Sequence, residues 1–199
     1  MAHNLRQPDD DYIPPELIGA QMTPEQFEQV CRKYRKLRIE LASTGELMVM
    51  PPTGLLTGMR NAHLTSQLVE WNETDATGIC FGSSTIFALP NGAWRMPDVS
   101  WYKREKWDRL TDEEKEDFAR LCPDFVVELR SPNEEVSVLL SKMSEYIANG
   151  ASLGWMIDPN TRRVYVYQPD EGVIVLQNPE TVSGEPLLPG FTLTLLELW

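Results

Sequence analysis

Two acidic residues stand where strands are predicted, which is an unusual place for a carboxylate. Asp98 follows Pro97 at the start of a predicted strand, and Glu128 lies inside the apolar run Phe-Val-Val-Glu-Leu at 125–129. A carboxylate in such a run is costly to bury unless a cation, hydrogen bonds or protonation compensates. Carboxylates on two neighbouring strands would form an oxygen-rich site suited to Mg²⁺ or Mn²⁺.

A cation accompanies the second acid. Arg130 lies two residues after Glu128, and therefore on the same face of the strand. Pro-Asp followed by Glu-x-Arg is close to the Pro-Asp…(Asp/Glu)-x-Lys layout of metal-dependent nucleases, with Arg where Lys is usual. In that chemistry a carboxylate-bound metal activates water, and a cationic side chain orients the nucleophile. Paired acids at this separation also occur by chance, so a turn acid at Asp98 and a salt-bridged residue at Glu128 stay open as alternatives.

The composition is that of an acidic globular protein. The chain has 199 residues, a net charge of −12 and 42% hydrophobic residues, enough for a substantial core. No apolar run approaches the roughly 20 residues that a membrane helix needs, and the first twenty residues lack the features of a signal peptide. The three cysteines are far apart and form no CxxC motif, so we expect neither a disulfide framework nor a zinc site, and a cytoplasmic location.

The charge is unevenly distributed along the chain. Residues 1–28 and residues 164–199 each carry a net charge of −5, which leaves the middle of the chain nearly neutral. Carboxylates repel the phosphates of nucleic acids, so the overall charge argues against nucleic-acid binding. Any DNA-binding face must therefore lie away from the two ends.

The hydrophobic pattern predicts a mixed α/β domain over 23–199, preceded by an irregular acidic arm over 1–22. An N-terminal helix from Thr23 leads into a hairpin, and further helices are expected at about 58–71 and 134–149. Strands are expected at 37–41, 46–50, 77–81, 85–89, 97–102, 123–129, 153–157, 163–167, 173–176 and 191–195. The expected architecture is a mixed central sheet flanked by helices.

Six segments together resemble one known family. They are 50–54 (MPPTG), 95–101 (RMPDVSW), 122–132 (CPDFVVELRSP), 142–150 (KMSEYIANG), 154–159 (GWMIDP) and 188–191 (LPGF). In this order, over roughly 23–199, they resemble the Uma2 family, whose members are regarded as endonucleases. The resemblance implies a restriction endonuclease-like fold and a Mg²⁺- or Mn²⁺-dependent nuclease that acts on DNA. Asp98 and Glu128 fall on the family's metal-ligand positions.

The resemblance also implies that the catalytic lysine has moved to the following helix, where Lys142 stands. Helical periodicity alone places Lys142 about 120° from the centre of the apolar stripe, where a solvated lysine is the simpler interpretation. Arg130 competes for the same role, but a guanidinium cannot act as a general base, so only charge stabilisation is open to it.

A third ligand often comes from the first long helix of such nucleases. Here that helix offers His63, with Gln67 and Glu70 on the same face. Relatives tend to have an acid at the position of His63, so the histidine is a departure. It is a candidate metal ligand, and a structural or solvated histidine is the alternative.

Three functions are compatible with these residues. The first is a metal-dependent DNA endonuclease, acting as a homodimer because cutting both strands needs two sites. The second is a catalytically silent scaffold or regulatory protein that retains the fold, which Arg130, His63 and the net charge all favour. The third is a hydrolase of small phosphate esters.

Overall fold

The computed structural model describes residues 14–118 and 120–199, so most of the expected acidic arm lies outside the described residues. The described helices are α1 (Pro24–Lys33), α2 (Leu55–Asp75), α3 (Arg104–Trp107), α4 (Asp112–Glu116) and α5 (Val136–Ala148). The described strands are β1 (Ile39–Leu41), β2 (Leu47–Val49), β3 (Gly78–Gly82), β4 (Phe87–Ala88), β5 (Trp94–Arg95), β6 (Val99–Lys103), β7 (Phe125–Leu129), β8 (Leu153–Asp158), β9 (Arg163–Tyr167), β10 (Ile174–Gln177), β11 (Thr181–Ser183) and β12 (Thr192–Thr194).

The strands form a large mixed sheet and two smaller sheets. The main sheet has the order β10-β9-β8-β7-β6-β3, in which only the β7–β8 pair is parallel. Helix α5 makes the crossover between these two parallel strands, as a parallel connection requires. The small sheet has the order β2-β1-β5-β4, and β11 pairs with β12.

The local signals in the sequence explain where the first helix begins. Thr23 caps α1 by accepting a hydrogen bond from the backbone N–H of Gln26, whose side chain bonds back to the backbone of Thr23. Helix α2 is longer than expected and ends where Ala76 adopts a left-handed conformation with φ 57°. The two-residue strand β5 was not expected, because two residues are too few to show the alternation of apolar and polar positions that predicts a strand.

The two faces of the main sheet are covered by different helices. Residues Val99, Trp101, Val127 and Leu129 belong to one apolar cluster together with Leu64 and Leu68 of α2. Residues Val126 and Met156 belong to another cluster together with Leu139, Met143 and Tyr146 of α5. A third cluster lies between α1 and the small sheet. Alternate residues of β6 and β7 therefore face α2 and α5.

Within 14–118 and 120–199, no helix combines the length and the apolar character that crossing a membrane requires.

Candidate active site

The structure brings Asp98 and Glu128 to one cleft. Strands β6 and β7 are antiparallel and pair Val99 with Val127, so continuing the register by one residue sets Asp98 opposite Glu128. Residues directly opposite each other in an antiparallel pair project from the same face of the sheet. Both carboxylates line a cleft of about 630 Å³, and Lys142 lines it with them.

Glu128 is a buried acid surrounded by other polar side chains. Its side chain is buried at 4% exposure, and its Oε1 accepts a hydrogen bond of 2.9 Å from the hydroxyl of Tyr146. Burial, together with the negative charges of Asp98 and Glu40, raises the pKa of Glu128 to about 8, although Lys142 acts in the opposite direction. The carboxylate therefore sits where a further positive charge would be stabilising.

Asp98 is fixed by two donors. Its Oδ1 accepts a hydrogen bond of 3.0 Å from Nδ2 of Asn61 on α2, and its Oδ2 accepts one of 2.9 Å from the backbone N–H of Leu129. Burial raises the pKa of Asp98, and this effect outweighs the two hydrogen bonds and the charges of Lys142 and Arg38. Nothing in the sequence pattern distinguished Asn61 as the helix residue that reaches the acid.

Lys142 is a buried ammonium, so the interpretation of a solvated helix lysine is wrong. Its side chain is 8% exposed, and its Nζ lies 2.8 Å from Oε1 of Glu40 and 2.9 Å from Oε1 of Glu128. The flank of α5 that carries it faces β1 of the small sheet, which periodicity within the helix could not reveal. Burial lowers the pKa of Lys142, but the two carboxylates raise it further, so the side chain stays protonated.

Glu40 and Arg95 complete the charged cluster, and the sequence analysis missed both. Glu40 is 2% exposed; its Oε1 accepts a hydrogen bond from the backbone N–H of Met96, and its Oε2 lies 3.2 Å from Nη1 of Arg95. Burial raises the pKa of Glu40, but Lys142 and Arg95 together lower it below its usual value. The signal was present in the sequence: Ile-Glu-Leu at 39–41 is an acid between apolar strand residues, as at Glu128.

Arg130 forms its ion pair with Asp158. Its Nη1 lies 3.1 Å from Oδ2 of the buried Asp158, and its Nε donates to the carbonyl oxygen of Glu134. The parallel register of β7 and β8 pairs Leu129 with Ile157, so the next residues, Arg130 and Asp158, are neighbours. The ion pair of Arg130 within the described chain is thus with Asp158 rather than with Glu128.

His63 lies on a face of α2 that is directed away from the acids. It is two residues from Asn61, or about 200° around the helix axis. It shares its face with Gln67, which exchanges hydrogen bonds with the backbone of Thr194 in β12. Across 14–118 and 120–199, no three His, Cys, Asp or Glu side chains are grouped so that they could hold a metal ion. The structure therefore does not bring His63 to Asp98 and Glu128.

The two remaining acids nevertheless fit a divalent cation. Among the described residues, the cluster contains the carboxylates of Glu40, Asp98, Glu128 and Glu145 and two directly paired cations, Lys142 and Arg95. Burial raises the pKa of both Asp98 and Glu128, and for Glu128 the negative charges of Asp98 and Glu40 add to this effect. Mg²⁺ is commonly bound by one or two carboxylates and completes its shell with water and phosphate oxygens. Two acidic ligands are sufficient for such a site.

Comparison with known proteins identifies the family of the chain and a structure of similar fold. The Uma2 family, described as "Putative restriction endonuclease", matches residues 24–196. The chain belongs to the Uma2 family. A solved structure titled as a putative nuclease belonging to DUF820 from Anabaena variabilis ATCC 29413 is similar in fold, with a TM-score of 0.71 and 19% identity over 89% of this chain and 97% of that one. No curated protein is significantly similar to the chain. This Uma2 protein thus shares its mixed α/β fold with that solved structure.

Proposed function

We propose that this Uma2 protein is a metal-dependent DNA endonuclease that hydrolyses phosphodiester bonds. The observation that supports the proposal most is the convergence of Asp98 and Glu128, both with a raised pKa, in one cleft beside the ammonium of Lys142. Perturbed acids in a cleft are typical of sites that do chemistry rather than of surface salt bridges. The arrangement is of the PD-(D/E)xK type, with the cation supplied by α5.

Each side chain of the cleft has a role in this proposal. Asp98 and Glu128 would hold Mg²⁺ or Mn²⁺, which when bound supplies an activated water and neutralises charge on the phosphate. Tyr146 orients Glu128 through its hydrogen bond to Oε1. Lys142 stays protonated, so it stabilises negative charge and orients water rather than acting as a base. Glu40 holds the ammonium of Lys142 in place from the opposite side.

The proposal predicts that two acids are essential and that a distant acid is not. Hydrolysis of plasmid and of short duplexes with Mn²⁺ is compared for the wild type, Asp98→Asn, Glu128→Gln and the control Asp112→Asn, whose side chain is exposed on α4. We expect each of the first two variants to lose at least about a hundredfold in rate, because each removes a ligand of the metal ion that would stabilise the transition state. Cleavage that is unchanged in both variants would come from a contaminating nuclease and would exclude the proposal.

A homodimer is part of the same proposal. One cleft can hold one scissile phosphate, so cutting both strands needs a second copy of the site. Light scattering of the purified protein, with and without duplex DNA, tests this. A monomer that introduces only single-strand nicks would remove the dimer but leave the endonuclease proposal in place.

A catalytically silent scaffold is the second candidate. It is favoured by the tight pairing of Lys142 with both Glu40 and Glu128, which leaves the ammonium with less freedom to meet a substrate. The same assay separates the two, because a silent protein leaves plasmid intact with Mg²⁺ and with Mn²⁺. Hydrolysis of mononucleotides without cleavage of DNA would instead identify a phosphate-ester hydrolase.

A further inference from the structure

Arg38 is a second cation of the cleft, and the proposed chemistry does not use it. It lies immediately before β1 and lines the same cleft as Asp98 and Glu128. Its Nη1 donates to Oγ1 of Thr53 at 3.3 Å, and its Nη2 donates to the carbonyl oxygen of Ser83 at 3.1 Å. The guanidinium therefore connects three segments that meet at the cleft: the start of β1, the linker before α2 and the loop after β3.

The partners of Arg38 are neutral, which sets it apart from the other cations near the site. Lys142, Arg95 and Arg130 each contact a carboxylate. The described residues give Arg38 no carboxylate partner, and its Nε is buried without a hydrogen-bond acceptor. A guanidinium has five N–H donors, so its two hydrogen bonds leave one N–H on each Nη without a partner among the described residues, in addition to the buried Nε. A guanidinium without a carboxylate partner and with unused N–H donors can bind an anion.

The fixed position of Arg38 suits an oxyanion such as a phosphate. Two hydrogen bonds to neighbouring segments hold the guanidinium plane in place, which reduces the entropy lost on binding. Arginine binds phosphate through two parallel N–H···O bonds, a geometry that lysine cannot reproduce. Arg38 and Asp98 line the same cleft, and the charge of Arg38 lowers the pKa of Asp98.

We infer that Arg38 binds a phosphate group of the DNA backbone next to the pair Asp98 and Glu128. The inference rests on the proposed function and adds a named substrate contact to it. The net charge of −12 repels DNA as a whole. A guanidinium inside the cleft without a carboxylate partner would attract the DNA backbone locally in spite of this repulsion. Arg38 is a binding residue here, distinct from the acids that would hold the metal.

The test measures DNA binding separately from cleavage. A fluorescently labelled 20-base-pair duplex is titrated in Ca²⁺, at several salt concentrations, with the wild type, Arg38→Gln, Arg38→Lys and Arg109→Gln. Arg109 is exposed and follows α3, which begins at the other end of β6 from Asp98, so it controls for the change in charge. Thermal melting of each variant is recorded, and Mn²⁺-dependent cleavage is measured in parallel.

We expect Arg38→Gln to weaken binding about tenfold and to lower the slope of log affinity against log salt by about 1, as the loss of one phosphate contact does. Arg38→Lys keeps the charge, so its salt slope should match the wild type while its affinity falls severalfold. If Arg38→Gln does not fold, the affinity of Arg38→Lys is compared with that of the wild type instead. Arg109→Gln should stay within about twofold of the wild type.

The outcomes separate the two proposals. If the wild type cleaves DNA but Arg38→Gln binds as Arg109→Gln does, the inference about Arg38 is overturned and the endonuclease proposal stands. If the wild type binds the duplex without cleaving it and Arg38→Gln binds more weakly, Arg38 is a phosphate-binding residue of a protein that is not a nuclease. A wild type that neither binds nor cleaves DNA overturns both.

Discussion

The two faces of the main sheet are built from alternate residues of the same strands, yet burial has opposite effects on stability at the two faces. The face under α2 carries Val99, Val127 and Leu129 in an uninterrupted apolar cluster. The face under α5 carries Asp98 and Glu128, one residue away from these in the chain. Burial of the first set stabilises the fold, whereas burial of the second raises the pKa of both acids and costs stability.

The difference shows how one strand can serve both stability and chemistry. The apolar face keeps β6 and β7 in register, and the register sets Asp98 opposite Glu128. The charged face is then held by Lys142 and Tyr146 from α5 and by Glu40 from the small sheet. Substitutions on the two faces should therefore separate stability from activity.

The largest effect on stability is expected at Lys142. Lys142→Met leaves Glu40 and Glu128 buried beside each other without their shared cation, which costs about 3–5 kcal/mol of unfolding free energy. Urea denaturation measures the loss. The control Lys33→Met, on the exposed surface of α1, should stay within about 0.5 kcal/mol of the wild type. Equal stability of the two variants would mean that the ammonium does not hold the carboxylates together.

The next effect concerns the apolar face. Leu129→Ala removes a side chain that is 2% exposed and leaves a cavity, so we expect a loss of about 2–5 kcal/mol. The backbone N–H of residue 129 still binds Asp98, so the cleavage rate of the folded fraction should change little. Paired urea denaturation and cleavage assays at low temperature test this. A large fall in rate without a fall in stability would contradict the division between the two faces.

The charged face should make stability depend on pH. The pKa of Glu128 is about 8 in the folded protein against an ordinary 4.5, so between these values the folded state binds more protons than the unfolded state. Stability should therefore fall as pH rises from 5 to 8, by at most about 1.4 kcal/mol per pH unit for one proton. Asp98 and Glu134, whose pKa values are also raised, act in the same direction.

Denaturation midpoints at pH 5, 6, 7 and 8 in a metal-free buffer measure this slope. Glu128→Gln, which cannot ionise, should flatten it and raise the stability at pH 8. A wild type that becomes more stable across this range would show that Glu128 is ionised throughout.

The smallest effect is expected at Ser100, on the same face as Asp98. Its Oγ is buried and has no hydrogen-bond partner among the described residues. Ser100→Ala removes an unsatisfied polar atom, so stability should be unchanged or rise by up to about 1 kcal/mol. Thermal melting measures it, with Ser66→Ala on α2 as the control, and a clear loss of stability would reveal an undetected partner.

The positions of the two acids could be predicted because strand alternation is a local property. A carboxylate within an apolar strand is costly wherever it occurs, and that rule located Glu128. The same rule applies to Glu40, but a strand of only three residues shows too short an apolar pattern for the acid to stand out. The bounds of β1 and β7 were close to the structure for the same local reason.

The contacts of Lys142 and Arg130 could not be predicted from the sequence pattern. Whether a helix flank meets water or a second sheet depends on tertiary packing, and here β1 covers Lys142. The partner of Arg130 depends on the parallel register of β7 and β8, which sets it beside Asp158. His63 was a candidate because the family resemblance places a third ligand on the first long helix, but the rotation of that helix directs Asn61 to Asp98 instead.

The bond between Glu40 and Lys142 joins the small sheet to the main one, and it has a consequence for dissecting the chain. A fragment starting at α2 would retain all six strands of the main sheet, but it would lack both Glu40 and Arg38. Its lysine would keep a single acidic neighbour, and one wall of the cleft would be missing. The hairpin of β1 and β2 therefore forms part of the cleft. Deleting it should abolish the proposed nuclease activity even if the remainder folds.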